Sequence, residues 1–281
     1  MNHLLRELAP ITDSGWEQLD DEARRQLVAS LAARRLVDFS GPHGWQYSAT
    51  NLGRTETVQT AVVPGVAPVR RRVLAVVEPR VSFSIARSEL DDIARGAEDP
   101  DLAGLEEAAR RIALAENVAV FQGWEEAGIT GMTGASPHEP IPLSDDLTAC
   151  PRHIARAVEV LLRSGVGGPY GLALSPEVYK AVVETTEHGG YPLFDHLRKI
   201  LDGPLVWAPG VDGAIVASLR GGDFLFECGQ DLAIGYDNHD AENVELYLVE
   251  SFSFRVATPE AAVALPAARA ARGRTARRQT T

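Results

Sequence analysis

VDFSGPHGWQYSATNLG, residues 37–53, is the stretch on which the reading of this chain turns. Ser40-Gly41-Pro42 and Gly44 stop regular structure there, since proline fixes φ and glycine frees it. The segment before it is helical in pattern. Trp16, Leu19, Ala23, Leu27 and Leu31 recur at three- and four-residue spacing, which predicts a helix over 14–33, with Ser14 and Glu17 in capping-box positions. The segment after it changes character. Residues 51–80 hold Thr55, Thr57, Val58, Thr60, Val62, Val63 and then Val69, Val73, Leu74, Val76, Val77, split by Pro64-Gly65 and Pro68. This reads as two arms of a long hairpin. Such a hairpin is not stable alone in water and must lie on another surface. Arg70, Arg71 and Arg72 put a compact positive patch on it. A solvated loop, an acidic protein surface and nucleic acid are the readings open for that patch.

Working outward, residues 102–127 predict a second long, alanine-rich helix, with Leu105, Ala109, Ile112, Ala115 and Ala119 on one side and Gly128 and Gly131 ending it. A third helix starts near Pro151, a first-turn position that proline tolerates, with Ile154, Val158, Leu161 and Leu162 inward. A short strand, YGLALS, follows, then helices around 176–187 and 193–202 on either side of HGGYP. From Leu205 the chain is strand-rich, and NVELYLVESFSFRV reads as one long half-buried strand. Helices and strands mix without a βαβ rhythm, so the fold class is α+β. The tail, residues 266–281, carries Arg269, Arg272, Arg274, Arg277 and Arg278 in low-complexity sequence and is predicted disordered.

The chain has 281 residues and a formal net charge of −12, which argues against a nucleic-acid-binding body. Two cysteines, Cys150 and Cys228, give no disulfide framework and suit a reducing compartment. The first residues lack the cationic start and apolar core of a signal peptide, no apolar run is long enough to span a membrane, and a cytoplasmic location is expected. Chemistry finds little support. Cys150 and His153 have C-x-x-H spacing without a second pair, so no metal is expected. No G-x-S-x-G elbow occurs, and GVGGPYG follows a helix and precedes a strand, the reverse of a phosphate loop.

Seven blocks in one order carry a family resemblance: LLRELAPITDSGWEQLD, ARRLVDFSGPHGW, SFSIARSELDDIARG, GGPYGLALS, GGYPLFDHL, RGGDFLFECGQDLAIGY and VESFSFRV. Together they resemble the encapsulins, bacterial shell proteins with the tailed-bacteriophage major-capsid fold. The resemblance implies a peripheral domain from 1–50, 81–132 and 225–265, an extended loop at 51–80, an axial domain at 133–224, and a spine helix at 102–127. It implies a self-assembling icosahedral nanocompartment, on the order of 60 copies in the smallest case, with no catalysis of its own. It also favours a neighbouring subunit as the partner of Arg70, Arg71 and Arg72.

The resemblance further implies a cargo enzyme, a dye-decolourising peroxidase or a ferritin-like iron-storage protein, held on the inner wall by a short C-terminal tag. At the matching positions stand Arg34, Asp38 and Asp231, polar anchors beside a leucine-lined groove; the plainer reading makes Arg34 and Asp38 an ordinary i,i+4 pair. Glu187, His188, Gly189, Gly190 and Tyr191 match the loop around the five-fold pore. Ser88 stands where flavin-binding relatives carry a stacking tryptophan, so no flavin is expected. No specific nucleic acid and no membrane partner is implied. The alternatives are a viral major capsid protein that packages DNA and, further off, a bacteriocin or hydrolytic enzyme.

Overall fold

The computed structural model describes residues 3–144, 146–187 and 189–267. Along the chain the elements are α1 (Asp13–Ser30), β1 (Asp38–Ser40), β2 (Ala49–Thr57), β3 (Val69–Ala75), β4 (Arg80–Ala86), α2 (Arg87–Arg95), α3 (Ala103–Phe121), β5 (Gly123–Trp124) and β6 (Ile129–Thr130). The second half holds α4 (Met132–Ala135), α5 (Cys150–Arg163), β7 (Tyr170–Leu174), α6 (Pro176–Glu184), α7 (Leu193–Leu201), β8 (Leu205–Trp207), β9 (Ala214–Ser218), β10 (Phe224–Cys228), β11 (Ala233–His239), β12 (Asn243–Val249), β13 (Phe252–Val256) and β14 (Ala262–Leu265). The arginines of the tail beyond Ala267 lie outside the described residues, as does His188.

One core forms where α1 and α3 sandwich against the sheet β11-β12-β4. Leu19, Ala23 and Leu27 of α1 meet Leu105, Ala109 and Ile112 of α3, and Phe83, Ile85, Val244, Leu246 and Leu248 supply the sheet face. The alternation that the sequence displays is therefore spent on one buried face. A second core joins the sheet β14-β9-β7-β8 to α5 and α7 and runs on to Phe226, Phe252 and Phe254. The α+β class holds, and the long α3 lies between the two cores, contributing Leu105 to Ala113 to one and Ala119 to Phe121 to the other.

Three expectations shift. The cap of α1 is Thr12, whose hydroxyl accepts from the Gly15 N–H at 3.2 Å, so the helix begins ahead of the Ser14–Glu17 box. α3 stops at Phe121, because Gly123 turns at φ +106° and packs backbone to backbone on Gly131, where a Cβ would sit 2.8 Å from the Gly131 nitrogen. NVELYLVESFSFRV is two strands in two sheets, broken at Glu250 and Ser251. The strand β14, at the end of the 225–265 segment, pairs with β9 of the 133–224 segment.

The hairpin β2–β3 is as expected in outline. It pairs with nothing but itself, apart from its base, where Thr50 Oγ1 lies 2.6 Å from Ser253 Oγ and Val77 bridges to Phe252. Val58, Val62, Val63, Val66, Val69 and Val73 stay exposed, Val62 at 97%. Single exposed valines need no explanation, but six on one hairpin present an apolar surface without a partner among the described residues.

Candidate functional site

The site is built from α3 outward. Asn117, fully buried on that helix, accepts from the backbone N–H groups of Ala32 and Ala33, each at 3.0 Å, and donates to the Ser30 carbonyl at 2.9 Å. One amide side chain thus binds three backbone groups where α1 ends, the last carbonyl of the helix and two N–H groups of the turn after it. The chain then enters a tight turn at Ala33–Arg35, which sends Arg34 inward.

Arg34 meets three carboxylates. Its Nε donates to Glu116 Oε2 at 2.7 Å, one terminal nitrogen to Asp231 Oδ1 at 2.7 Å, and the other to Glu250 Oε2 at 2.9 Å. Its guanidinium also sits 5.0 Å from the ring centre of Phe39 and 5.5 Å from that of Phe226. Glu116 and Glu250 are wholly buried, whereas the Asp231 side chain is 44% exposed. Burial raises Glu250 well above the ordinary carboxylate range, and the neighbouring Glu116 pushes it further the same way. Burial also raises Glu116, against the pull of Arg34. Arg34 itself is held above its usual value: burial works against the charge, and the three carboxylates outweigh it. The Oε1 atoms of both glutamates are buried without a hydrogen-bond partner among the described residues.

Beside this cluster lies a groove of about 400 Å³ between α1 and the start of β11. Ala23, Leu27, Val28, Leu31, Leu232, Ile234 and Leu248 give it apolar walls, and Val28 is 72% exposed. Arg34 and Asp231 close one end. Arg6, Asp20 and Arg24 stand at the other, where Arg6 pairs with Asp20 at 2.8 Å and lies over Trp16, and Arg24 pairs with Asp21 at 2.6 Å. An apolar trough with polar ends suits an extended peptide.

Of the three anchors read from the sequence, the structure brings Arg34 and Asp231 together and places Asp38 elsewhere. Asp38 Oδ2 accepts from the Gly222 N–H at 2.6 Å and lines a separate cleft with Arg35, Leu219 and Asp223. It does not pair with Arg34, because successive residues of β1 face opposite sides and Phe39 takes the Arg34 side. Glu116, Asn117 and Glu250 were missed. Their signal was there: polar residues inside otherwise apolar runs, LAENVAVF and YLVESFSF, are bound to find partners when buried.

The loop before α7 is held by its own contacts. Thr186 bridges to Pro192, the Glu187 N–H donates to the Tyr191 carbonyl at 2.8 Å, and Gly189 and Gly190 adopt positive φ. The Glu187 carboxylate lies 2.8 Å from His196 Nδ1 on α7, and Lys199 sits 4.9 Å from the Tyr191 ring centre. On the hairpin, Arg70 pairs with Glu56 across the strands, while Arg72 stands opposite Arg54 and Arg71 opposite Thr55. Ser88 is exposed in the first turn of α2.

Nothing among the described residues builds an enzyme centre. Ser40 Oγ and Glu227 Oε2 approach the same nitrogen of His43, Nε2, at 3.2 and 2.8 Å, whereas a catalytic relay uses the two ring nitrogens separately. Burial pushes the Cys150 thiol up to about 11 and the Cys228 thiol up to about 12, so neither is a ready nucleophile. Among the described residues no group of three or more metal-ligating side chains is gathered, and no helix is long and apolar enough to cross a membrane.

Comparison with known proteins agrees with this geometry. A family model described as "Encapsulating protein for peroxidase" matches residues 1–253. The type 1 encapsulin shell protein of Rhodospirillum rubrum is 49% identical over 270 residues, covering 94% of this chain and 96% of the relative. That of Mycobacterium tuberculosis is 42% identical over 265 residues, covering 94% and 99%. Among solved structures, a virus-like particle from Pyrococcus furiosus superposes with a TM-score of 0.63 at 18% identity, covering 89% of this chain and 98% of that one. The capsid of Myoviridae phage XM1 gives 0.52 at 11% identity, covering 86% and 92%. At such identities the two superpositions speak for the capsid fold alone.

Proposed function

The chain belongs to the encapsulin shell-protein family, and from that premise we propose that its copies enclose a cargo enzyme held by a C-terminal tag in the groove beside Arg34. It is a shell protein with a capsid-like fold and not an enzyme. The observation that carries the docking reading is the groove itself, whose apolar walls are left open by α1 and β11 and whose far end is fixed by the Arg34 cluster.

The exposed valines of the β2–β3 hairpin, and Arg71 and Arg72, which make no ion pair among the described residues, suit contact with a neighbouring subunit, which is how an extended loop would help close a shell. In the same reading the loop at Glu187, Gly189, Gly190 and Tyr191 borders a solute pore, and a cytoplasmic compartment is where the particle works. Exposed Ser88 offers no stacking surface, so no flavin is proposed.

The family description names a peroxidase, and the cargo we propose is a dye-decolourising peroxidase or a ferritin-like protein. The test is co-expression with each candidate, with and without its C-terminal extension. The particle fraction should retain the full-length cargo, lose the truncated one, and lose both when Val28→Glu puts a charge into the groove. Equal retention of full-length and truncated cargo would refute tag docking.

A further inference from the structure

The helix α3 carries two stripes of side chains, and the cores use one of them. Leu105, Ala109 and Ile112 are buried, whereas Arg111, Leu114, Ala115 and Val118 recur at three- and four-residue spacing on a different side, where Leu114 is 42% exposed. The chain turns back beside this second stripe. Gly123 takes φ +106° and opens β5, whose pairing with β6 brings the exposed Trp124 alongside. The turn at Gly210 presses on the same stripe: a Cβ there would sit 2.8 Å from Val118 and 3.1 Å from Leu114, and the Gln122 amide donates to the Gly210 carbonyl. The stripe, with Ala119, Gly123 and Trp124, lines a cleft of about 340 Å³.

Arg111 is the one charged residue of that lining, and it is open. Its neighbour Arg110 takes the two carboxylates of the preceding turn, Glu107 at 3.2 Å and Glu106 at 3.5 Å. Arg111 makes no hydrogen bond or ion pair among the described residues, and Glu125 and Glu126, which follow Trp124, do not pair with it. We propose that this cleft binds a small apolar monoanion, its body against Leu114, Val118 and Trp124 and its carboxylate on Arg111. Apolar walls with a single placed polar group are the ordinary form of a small-molecule site, and a cleft of this volume is large enough for one. A free guanidinium matches a carboxylate with two parallel N–H···O bonds. A neutral molecule of equal size leaves that cation without a partner, and a second cation is repelled. The cleft is separate from the groove between α1 and β11, so the inference stands whether or not cargo docks there.

The probes are octanoate, octanol and octylamine, measured by equilibrium dialysis against the purified full-length protein in its native assembly state. Octanoate should saturate at one molecule per chain and bind about tenfold tighter than octanol, with octylamine weaker than both. Added salt should narrow the difference between octanoate and octanol, because the cation is at the surface. Arg111→Gln should bring octanoate down to octanol at unchanged hydrodynamic size. Ala115→Phe, which fills the cleft, should abolish both. Equal binding of octanoate and octanol to the unaltered protein, or binding indifferent to Ala115→Phe, would overturn the site. So would binding of neither, which means that another copy covers the cleft, and so would a change of hydrodynamic size on Arg111→Gln, which assigns the cation to a contact between copies.

Discussion

Arg34 carries one positive charge into a site with three carboxylates, two of them out of water, and the consequences are specific. Glu116 and Glu250 titrate near 4.3 in an unfolded chain, and in the fold both are raised, Glu250 by burial and by the neighbouring Glu116. Folding therefore takes up a proton over the interval between the ordinary carboxylate value and the raised one. The stabilisation is complete below the unfolded value and is lost as pH climbs through the folded value, the opposite of a salt-bridged aspartate. The charged and titratable groups facing the pair are Arg34, Asp231 and the thiol of Cys228, which burial keeps neutral. Stability against guanidinium should accordingly fall on the alkaline side, and Glu250→Gln should flatten that fall, because the amide does not titrate. A slope unchanged by Glu250→Gln would contradict that origin. Arg34→Met should cost about 3–5 kcal/mol, since it strands two buried carboxyls without their cation. The unfolding midpoint at fixed subunit concentration reads it.

Between elements, the decisive contact is the Asn117 side chain at the end of α1. Asn117→Ala should leave the Ala33 amide without its acceptor and the Ala32 amide with only its turn bond to the Ser30 carbonyl, and cost about 1–3 kcal/mol. Amide hydrogen exchange should accelerate at those two residues before it does in α3, and uniform acceleration along both helices would argue against the capping role. The helices themselves were legible in the sequence: apolar spacing placed α1, α3 and α5, and Pro151 marked the start of α5. What failed was local. The Ser14–Glu17 box lost to Thr12, which stands nearer the first turn, and α3 ended early because Gly123 packs on Gly131, a contact that no pattern within one helix reveals. The break at Glu250 was hidden for a related reason. Strand periodicity runs through it unaltered, and only the buried arginine from a turn more than two hundred residues away explains why a carboxylate sits there. Arg34 and Asp231 were found through family resemblance, and their mates were not, because burial of a charge is a property of the packed molecule.

At the scale of the molecule, two cores joined by α3 make a subunit that folds around its own interior yet leaves a valine-rich hairpin and an open groove unsatisfied. A lone subunit gains nothing from either. The closed particle proposed above would give both a purpose, the hairpin against a neighbour and the groove facing cargo. Light scattering with negative-stain microscopy on the purified full-length chain tests this most directly. The account predicts uniform hollow particles of roughly 1.8 MDa, about 60 copies of a 30.2 kDa chain, or a larger closed shell of the same subunit. A stable monomer or dimer with no particles would contradict it.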